Sequence, residues 1–478
     1  MTSTLNTLEH NVRSYGSLFA CLTCFWAFHF VTLWSSAFAP HDPTANLDLS
    51  SDLIWIISVS CNALALAVFL GFISKLQALD YARFSLASCI LTAFSIALMA
   101  TRVFQSGLAW DAAYLAGIAL FGFGSGFFMA CLAKLLCSVQ PQTTFMGLTA
   151  SFACGSLICL VITIALVPFA IGTATAFLPL ATAFFYMKAT READGGRKES
   201  PAKRTAEGSF TPGTFFLLVA VIGVTAGIMR DTSHASSTAM IGDHLFVIAV
   251  FATGLVLFAL SSSVAKLRPT LLLQIVVIVI AGAFIALALM AREAPAVAFA
   301  IHTAAFVCFV ALVWFFCTYF AQKNRSGVRG FAAGLLANQA GQALGSLGYF
   351  GATVLFGSTD SLLLYMSMGM VYVLFVVALV FFANMNRMKR DALSAAETTN
   401  MTAALDVLRV ERELTPRETE IAVLIVEGCS RSAIAQQLTV SQETVKTHTK
   451  HLYQKLGVHS RDELVELLSR ETERLLSM

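Results

Sequence analysis

The chain has 478 residues, 57% of them apolar and only 12% charged, with a formal net charge of +3. A soluble globular protein carries roughly a quarter charged residues. These proportions exclude a water-soluble chain and imply one that is mostly transmembrane.

Near the amino terminus, Arg13 precedes an apolar run that is too long for a signal peptide and is followed by further spans. With no cleavage pattern, the first segment is expected to remain as a membrane helix and nothing to be removed. Apolar runs of about 20 residues fall near 15–38, 53–74, 83–101, 112–137, 144–167, 169–187, 213–229, 244–264, 270–290, 296–320, 331–356 and 361–383. Twelve membrane helices are therefore predicted. The fifth and sixth are divided only by Pro168 and Gly172. Residues 188–212 are the one long polar stretch of this region, with six basic and four acidic residues, and they split it into halves over 1–187 and 213–385.

Lysine and arginine are retained on the cytoplasmic side of membrane helices. With the amino terminus inside, eighteen of the basic residues up to Arg390 lie in cytoplasmic segments, including Arg83, Lys134, Lys323, Arg387 and the six of 188–212. Only Arg102, Arg230 and Arg292 fall outside. The expected location is a multi-pass protein of the cell inner membrane with both termini cytoplasmic.

Twelve spans around a charged cytoplasmic loop resemble the major facilitator superfamily. The fourth span carries Gly122-Phe123-Gly124-Ser125-Gly126, similar to that superfamily's glycine-rich fourth helix. The fifth and eleventh open on Gly147-Leu148-x-Ala150 and Gly334-Leu335-x-Ala337, as in a duplicated fold. The loop from Gly71 to Arg83 lacks the family's usual spacing, and the fourth span lacks the arginine associated with proton coupling. The resemblance implies two six-helix halves with a site between them near the bilayer midplane.

Polar side chains inside spans are costly and mark such a site. The ligand-binding candidates are Trp26 and His29 in the first span, Asn62 in the second, His302 in the tenth, and Asn338 and Gln342 in the eleventh, with Gln339 between the last two. Each has an alternative role in an interhelical hydrogen bond. Phe121, Phe123, Phe127 and Phe128, and Trp314, Phe315 and Phe316, either stack on an aromatic ligand or pack against lipid and core. Arg230 with Asp231, and Arg102 with Asp111, form gates or interfacial pairs at outer ends. Ten of the eleven cysteines fall in spans, where thiols such as those of Cys21 and Cys24 pack rather than ionise. No metal site, cofactor motif or catalytic constellation stands out, so the chain is read as a non-enzyme.

A linker over 386–413 begins with Arg387, Lys389 and Arg390 as a membrane-surface anchor. Residues 391–402, rich in Ala, Ser and Thr, are expected to be mobile, and 403–413 to be helical. Thr415 with Glu418 forms a capping box, and Pro416 suits the first turn of a helix that stops at Gly428. A second helix over 431–438, a turn at 439–441, and a third helix over 442–456 capped by Ser441 have helix-turn-helix spacing. Gly457 ends the third helix, and Ser460 with Glu463 opens a fourth.

In the third helix Val445, Thr449, Leu452 and Leu456 recur on one face, leaving Lys446, Thr447, Lys450, His451 and Gln454 outward. A basic, polar face of this kind fits the DNA major groove. The alternative is a solvated charged face, since 391–478 hold ten basic against fourteen acidic residues. Leu414-Thr415, Arg417-Glu418, Gly428, Ile434-Ala435, Leu438, Ser441, Thr444-Val445-Lys446, His448, Lys455-Leu456-Gly457 and Ser460-Arg461 together resemble the LuxR-type helix-turn-helix regulators of bacteria. Ala433 and Thr449 depart from the usual glutamate and aliphatic residue. The resemblance implies dimeric binding to double-stranded promoter DNA, with Lys446, Thr447 and Lys450 at the bases and the fourth helix at the dimer contact.

The predicted architecture is all-α: a twelve-helix sensor domain in the lipid bilayer over 1–385, the linker, and a four-helix LuxR-type domain over 414–478. The expected function is a one-component transcriptional regulator in which a small molecule bound by the membrane domain controls DNA binding as a homodimer. The alternative is a secondary transporter with a regulatory DNA-binding tail. No soluble ligand or receiver domain precedes the tail, which leaves the membrane domain as the sensor.

Overall fold

The structure, a computed structural model, describes residues 2–38, 51–73, 80–101, 105, 107–196, 212–235, 239–264, 269–290, 293–323, 326–357, 360–426 and 428–476. Among these residues the chain forms sixteen α-helices. It divides at Phe381 and Phe382 into two compact units.

The membrane unit contains α1 (Thr2–His29), α2 (Ser51–Phe72), α3 (Tyr81–Thr101), α4 (Leu108–Leu136), α5 (Pro141–Ala165) and α6 (Pro168–Gly196) in its first half. The second half contains α7 (Pro212–Ala235), α8 (Ala239–Val264), α9 (Pro269–Met290), α10 (Pro295–Lys323), α11 (Gly327–Phe356) and the start of α12 (Asp360–Glu411). Each expected span falls on one of these twelve helices. Seven described helices are long and apolar enough to cross a membrane, and shorter apolar stretches lie in α7, α8, α9 and α12. In lipid every backbone polar group must be satisfied within the segment, so helices are the form such a chain takes.

Two departures from helical monotony position the interior. First, α1 gives way to a π-helical turn over Phe30–Trp34 and a short 3-10 turn over Ser36–Phe38. The wider turn re-aims the residues after His29. Second, the glycines of α4 alternate between neighbours. A Cβ at Gly126 would stand 2.8 Å from the Asn62 carbonyl oxygen of α2, and one at Gly122 would overlap the Ser58 carbonyl, whereas Gly124 faces the Ser88 carbonyl of α3. Close approach of this kind is what small residues permit at membrane helix contacts. In the second half Gly341 and Gly345 of α11 meet the α7 backbone at Ala220 and Val224.

Two expectations are corrected. Residues 391–402 are helical, because α12 runs unbroken from Asp360 to Glu411. Half of the stretch is alanine, leucine, glutamate or methionine, and a helix already formed on either side propagates through it without a new nucleus. The stretch 188–196, expected as loop, continues α6 to Gly196, where Ser17 donates to Glu192 at 2.9 Å. The remainder of that loop, 197–211, lies outside the described residues.

The second unit holds α13 (Pro416–Val426), α14 (Arg431–Gln437), α15 (Gln442–Leu456) and α16 (Arg461–Leu476). Their apolar faces meet in one core with Leu405 and Leu408 of α12, centred on Ile421, Ile434, Leu452 and Leu464. The capping box forms as predicted: the Thr415 amide donates to Glu418 Oε2 at 2.8 Å and the Glu418 amide to Thr415 Oγ1 at 3.3 Å. Ser441 Oγ accepts from the Thr444 amide at 3.1 Å, and Ser460 Oγ from the Glu463 amide at 3.1 Å. Gly428 and Gly457 take the left-handed conformation, with φ of 87° and 71°, that ends helices at glycine.

Candidate functional site

The membrane unit contains a cavity with about 760 Å³ of space between protein atoms, its opening included. Both halves contribute: Trp26, His29 and Trp34 from α1 and its π-turn, Trp55 and Asn62 from α2, Ser125 and Met129 from α4, Phe246 from α8, Trp314 from α10, and Asn338, Gln339 and Gln342 from α11. Five of the six ligand-binding candidates, Trp26, His29, Asn62, Asn338 and Gln342, are thus brought together.

His302 is not. It lies on another side of α10, buried, with its ring edge-on to Phe284 at 5.3 Å, and it is absent from the cavity lining. The two histidines look alike in sequence because both interrupt an apolar span. Only the packing of α9 against α10 separates them.

The polar floor of the cavity is a network of amides. Asn62 Nδ2 donates to Ser125 Oγ at 3.1 Å, a bond made possible by the glycine contacts of α2 with α4. Gln342 Nε2 donates to Gln339 Oε1 at 3.1 Å, and Gln339 Nε2 reaches Met129 Sδ at 3.8 Å. Asn62 Oδ1, Asn338 Oδ1 and Gln342 Oε1, with the indole nitrogens of Trp26 and Trp55, are buried with no hydrogen-bond partner among the described residues. Buried polar atoms are satisfied in the great majority of cases, so five such atoms around one cavity mark a place for a ligand or water.

Aromatic rings form the walls. Trp34 stacks on Phe246 at 4.6 Å and 6°, and Trp26 lies 5.8 Å from Trp314. The signal for Trp34, Trp55 and Phe246 was present in the sequence only as aromatic content, which is ordinary in a membrane span. Arg230, 2% exposed, places its guanidinium 4.6 Å from the Trp55 ring and 5.4 Å from the Trp34 ring, and donates to the Leu33 carbonyl at 3.3 Å. The proposed partner Asp231 and the pair's counterpart Arg102 have side chains outside the described residues; Asp111 is buried. Of the aromatic candidates, Trp314 lines the cavity, whereas Phe123 and Phe127 pack against one another and Phe84.

In the second unit, α15 buries Val445, Leu452 and Leu456, and Thr449 at the fourth position is half-buried with its hydroxyl bonded to the Val445 carbonyl at 2.8 Å. Lys446, Thr447, Lys450, His451 and Gln454 are all exposed, as the periodicity predicts. Lys446 Nζ lies 3.3 Å from Glu443 Oε2 one turn earlier. Several landmark residues prove to be scaffolding. Glu418, 3% exposed, accepts from Lys455 Nζ at 2.8 Å, which ties α13 to α15. Burial raises the Glu418 carboxyl, but the hydrogen bonds from Lys455 and Thr415 and the lysine charge outweigh it and hold the group below the usual range. Arg417 donates to the Leu438 carbonyl at 2.8 Å, fixing the turn before α15.

A polytopic helical membrane unit with a cavity between its halves, on the same chain as a four-helix unit with an exposed basic helix, defines a membrane protein with a DNA-binding domain. Residues 412–468 match the profile of the bacterial regulatory proteins of the luxR family, and this part of the chain is a LuxR-type helix-turn-helix domain of the kind used in transcription regulation. It is 46% identical over 65 residues to the HTH-type transcriptional regulator MalT of Yersinia pestis, covering 14% of this chain and 7% of that protein. It is 47% identical over 57 residues to the putative HTH-type transcriptional regulator Mb0914c of Mycobacterium bovis, covering 12% of this chain and 6% of that one. The chain therefore shares only the DNA-binding segment with these relatives. The remainder resembles solved membrane transporters in fold. It resembles the human organic anion transporter MFSD10 (TETRAN) with a TM-score of 0.52 at 13% identity, over 77% of this chain and 99% of that one. A bacterial homologue of the iron transporter ferroportin in its outward-facing state gives 0.50 at 14%, over 77% and 98%. At such identities the likeness concerns fold alone.

Proposed function

We propose that the protein is a one-component transcriptional regulator of the cell inner membrane, in which a small molecule bound in the membrane cavity controls sequence-specific DNA binding by the LuxR-type domain. The observation that carries this reading is the convergence of Trp26, His29, Asn62, Asn338 and Gln342 on one cavity whose buried polar atoms lack partners. The excess of basic residues on one side of the spans supports cytoplasmic termini, where DNA is reached. Lys446, Thr447 and Lys450 contact base edges and phosphates, His451 and Gln454 extend the same face, and α16 supplies a homodimer contact. Ligand control requires different affinities for two conformations, and about 1.4 kcal/mol changes their ratio tenfold.

The test is capture of DNA from the protein's own genomic neighbourhood by full-length protein in lipid nanodiscs. Wild type should retain a specific fragment that the Lys446→Ala, Lys450→Ala double variant loses. Equal retention by both would remove α15 as the recognition helix. A second reading, a secondary transporter with a regulatory tail, is favoured by the transporter fold of the membrane unit. It requires saturable, ion-coupled uptake that survives deletion of 391–478.

A further inference from the structure

Hydrogen-bond logic determines which atoms the cavity leaves free. Ser125 Oγ donates to the Gly122 carbonyl at 3.3 Å, so it accepts from Asn62, and Asn62 must present its amide nitrogen there. A thioether has no proton to donate. Gln339 therefore turns its nitrogen to Met129 and its oxygen to Gln342, which answers with nitrogen. The chain of constraints leaves Asn62 Oδ1 and Gln342 Oε1 as acceptors without a donor. Asn338 Oδ1 is a third, and His29, whose Nδ1 donates to the Phe25 carbonyl at 2.8 Å, lines the same cavity. Trp26 and Trp55 contribute unpaired indole N–H groups.

Among the described residues the lining contains no aspartate, glutamate, lysine or arginine. Arg230 is turned to the faces of Trp55 and Trp34 and is not among the lining residues. A carboxylate or ammonium ligand would meet no counter-charge among the described lining residues, and an unpaired buried charge costs several kcal/mol. Ring-shaped walls from both halves, with Trp34 on Phe246 and Trp26 near Trp314, favour a flat partner.

Resting on the reading of this cavity as the ligand site, we propose that it takes an uncharged aromatic ring bearing at least two hydroxyl groups, which donate to Asn62 and Gln342 and accept from the tryptophan N–H groups. A hydroxyl serves both roles, whereas a methyl ether loses the donor and leaves the amide oxygens unpaired.

The experiment uses tryptophan fluorescence of the full-length protein in nanodiscs, because four of its five tryptophans, Trp26, Trp34, Trp55 and Trp314, line the cavity. Resorcinol, 1,3-dimethoxybenzene and benzoate are titrated in turn. Resorcinol should quench saturably and bind about tenfold or more tightly than the diether, the effect of leaving buried acceptors unmatched. Benzoate should give no saturable signal. Asn62→Leu and Gln342→Leu should each weaken resorcinol by about tenfold while leaving the diether unchanged. Equal affinities for resorcinol and diether, binding of benzoate in preference to both, or no saturable quenching by any of the three would overturn the proposal, and the wild-type comparison holds even if a variant misfolds. No DNA enters this measurement. Failure of operator capture with resorcinol bound removes the regulator reading and leaves the ligand class standing.

Discussion

Glu443→Gln should increase DNA affinity, and its size follows from the geometry of α15. Glu443 Oε2 lies 3.3 Å from Lys446 Nζ, with the lysine side chain 59% and the glutamate 80% exposed. Lys446 can reach a base edge only by leaving this carboxylate. At water's dielectric constant the attraction is about 1 kcal/mol, and exposed pairs measure about 0–1. Releasing Lys446, and removing a negative charge from a face proposed to approach phosphates, should therefore tighten binding by up to about fivefold per protomer. The two lysines should separate in a salt series. If Lys446 reads a base, Lys446→Ala costs about 1–3 kcal/mol of discrimination with little change in slope. If Lys450 sits on a phosphate, Lys450→Ala lowers the salt slope by about 0.9 per protomer across all sequences. Glu443 stands in the first turn of α15, where a negative charge favours the helix by about 0.3–1 kcal/mol. Melting of the variant should be recorded beside the binding. Operator capture from nanodiscs at several salt concentrations is the assay. A tenfold loss of specific binding in Glu443→Gln would refute the reasoning and make Glu443 itself a base contact.

Three further outcomes are expected. The Glu418 carboxyl is held below its unfolded value near 4.3, so its stabilising contribution is present above that pH and is lost as pH falls through the folded value; hydrogen exchange of α13 and α15 should accelerate on acidification, and Glu418→Gln should flatten that acid limb. Gly126→Leu would drive a side chain into the Asn62 backbone of α2, separate Asn62 from Ser125, and abolish saturable resorcinol quenching, whereas substitution at Gly348, which has open space around it, should leave quenching intact. His29→Phe should weaken resorcinol binding several-fold because it removes a polar side chain from the lining, while His302→Phe, off the cavity, should leave it unchanged; equal effects of the two would remove His29 from the site.

The DNA-binding unit was largely legible from sequence because its signals are local. Thr415 and Glu418 are one helical turn apart, Ser441 and Gly457 bracket α15, and Val445, Leu452 and Leu456 repeat with the period of a helix that has one dry face. Water on the opposite face makes that period visible, and Lys450 and Gln454 are exposed as the spacing requires. Over 391–402 the composition is evenly divided between strong and weak helix formers, and the continuity of α12 on both sides makes the stretch helical.

Within the membrane unit the number and placement of the apolar spans also follow from the chain, since a bilayer demands about 20 apolar residues per span whatever they pack against; how far α6 and α12 run beyond their apolar stretches does not. Their inward faces do not. Lipid tails are as apolar as a protein core, so a span facing both shows no contrast between its sides. Sequence could therefore place Asn62, Gln342 and His302 in helices without saying that the first two meet in a cavity and the third does not. Trp34 and Trp55 join that cavity through the π-turn after His29 and the glycine contacts of α4 with α2, and Phe246 through α8, whose Gly254 meets the α5 backbone. The free oxygens of Asn62 and Gln342 belong to the same level: each is assigned through a partner more than 60 residues away or through a neighbour so constrained, and that relation exists only once the helices have packed.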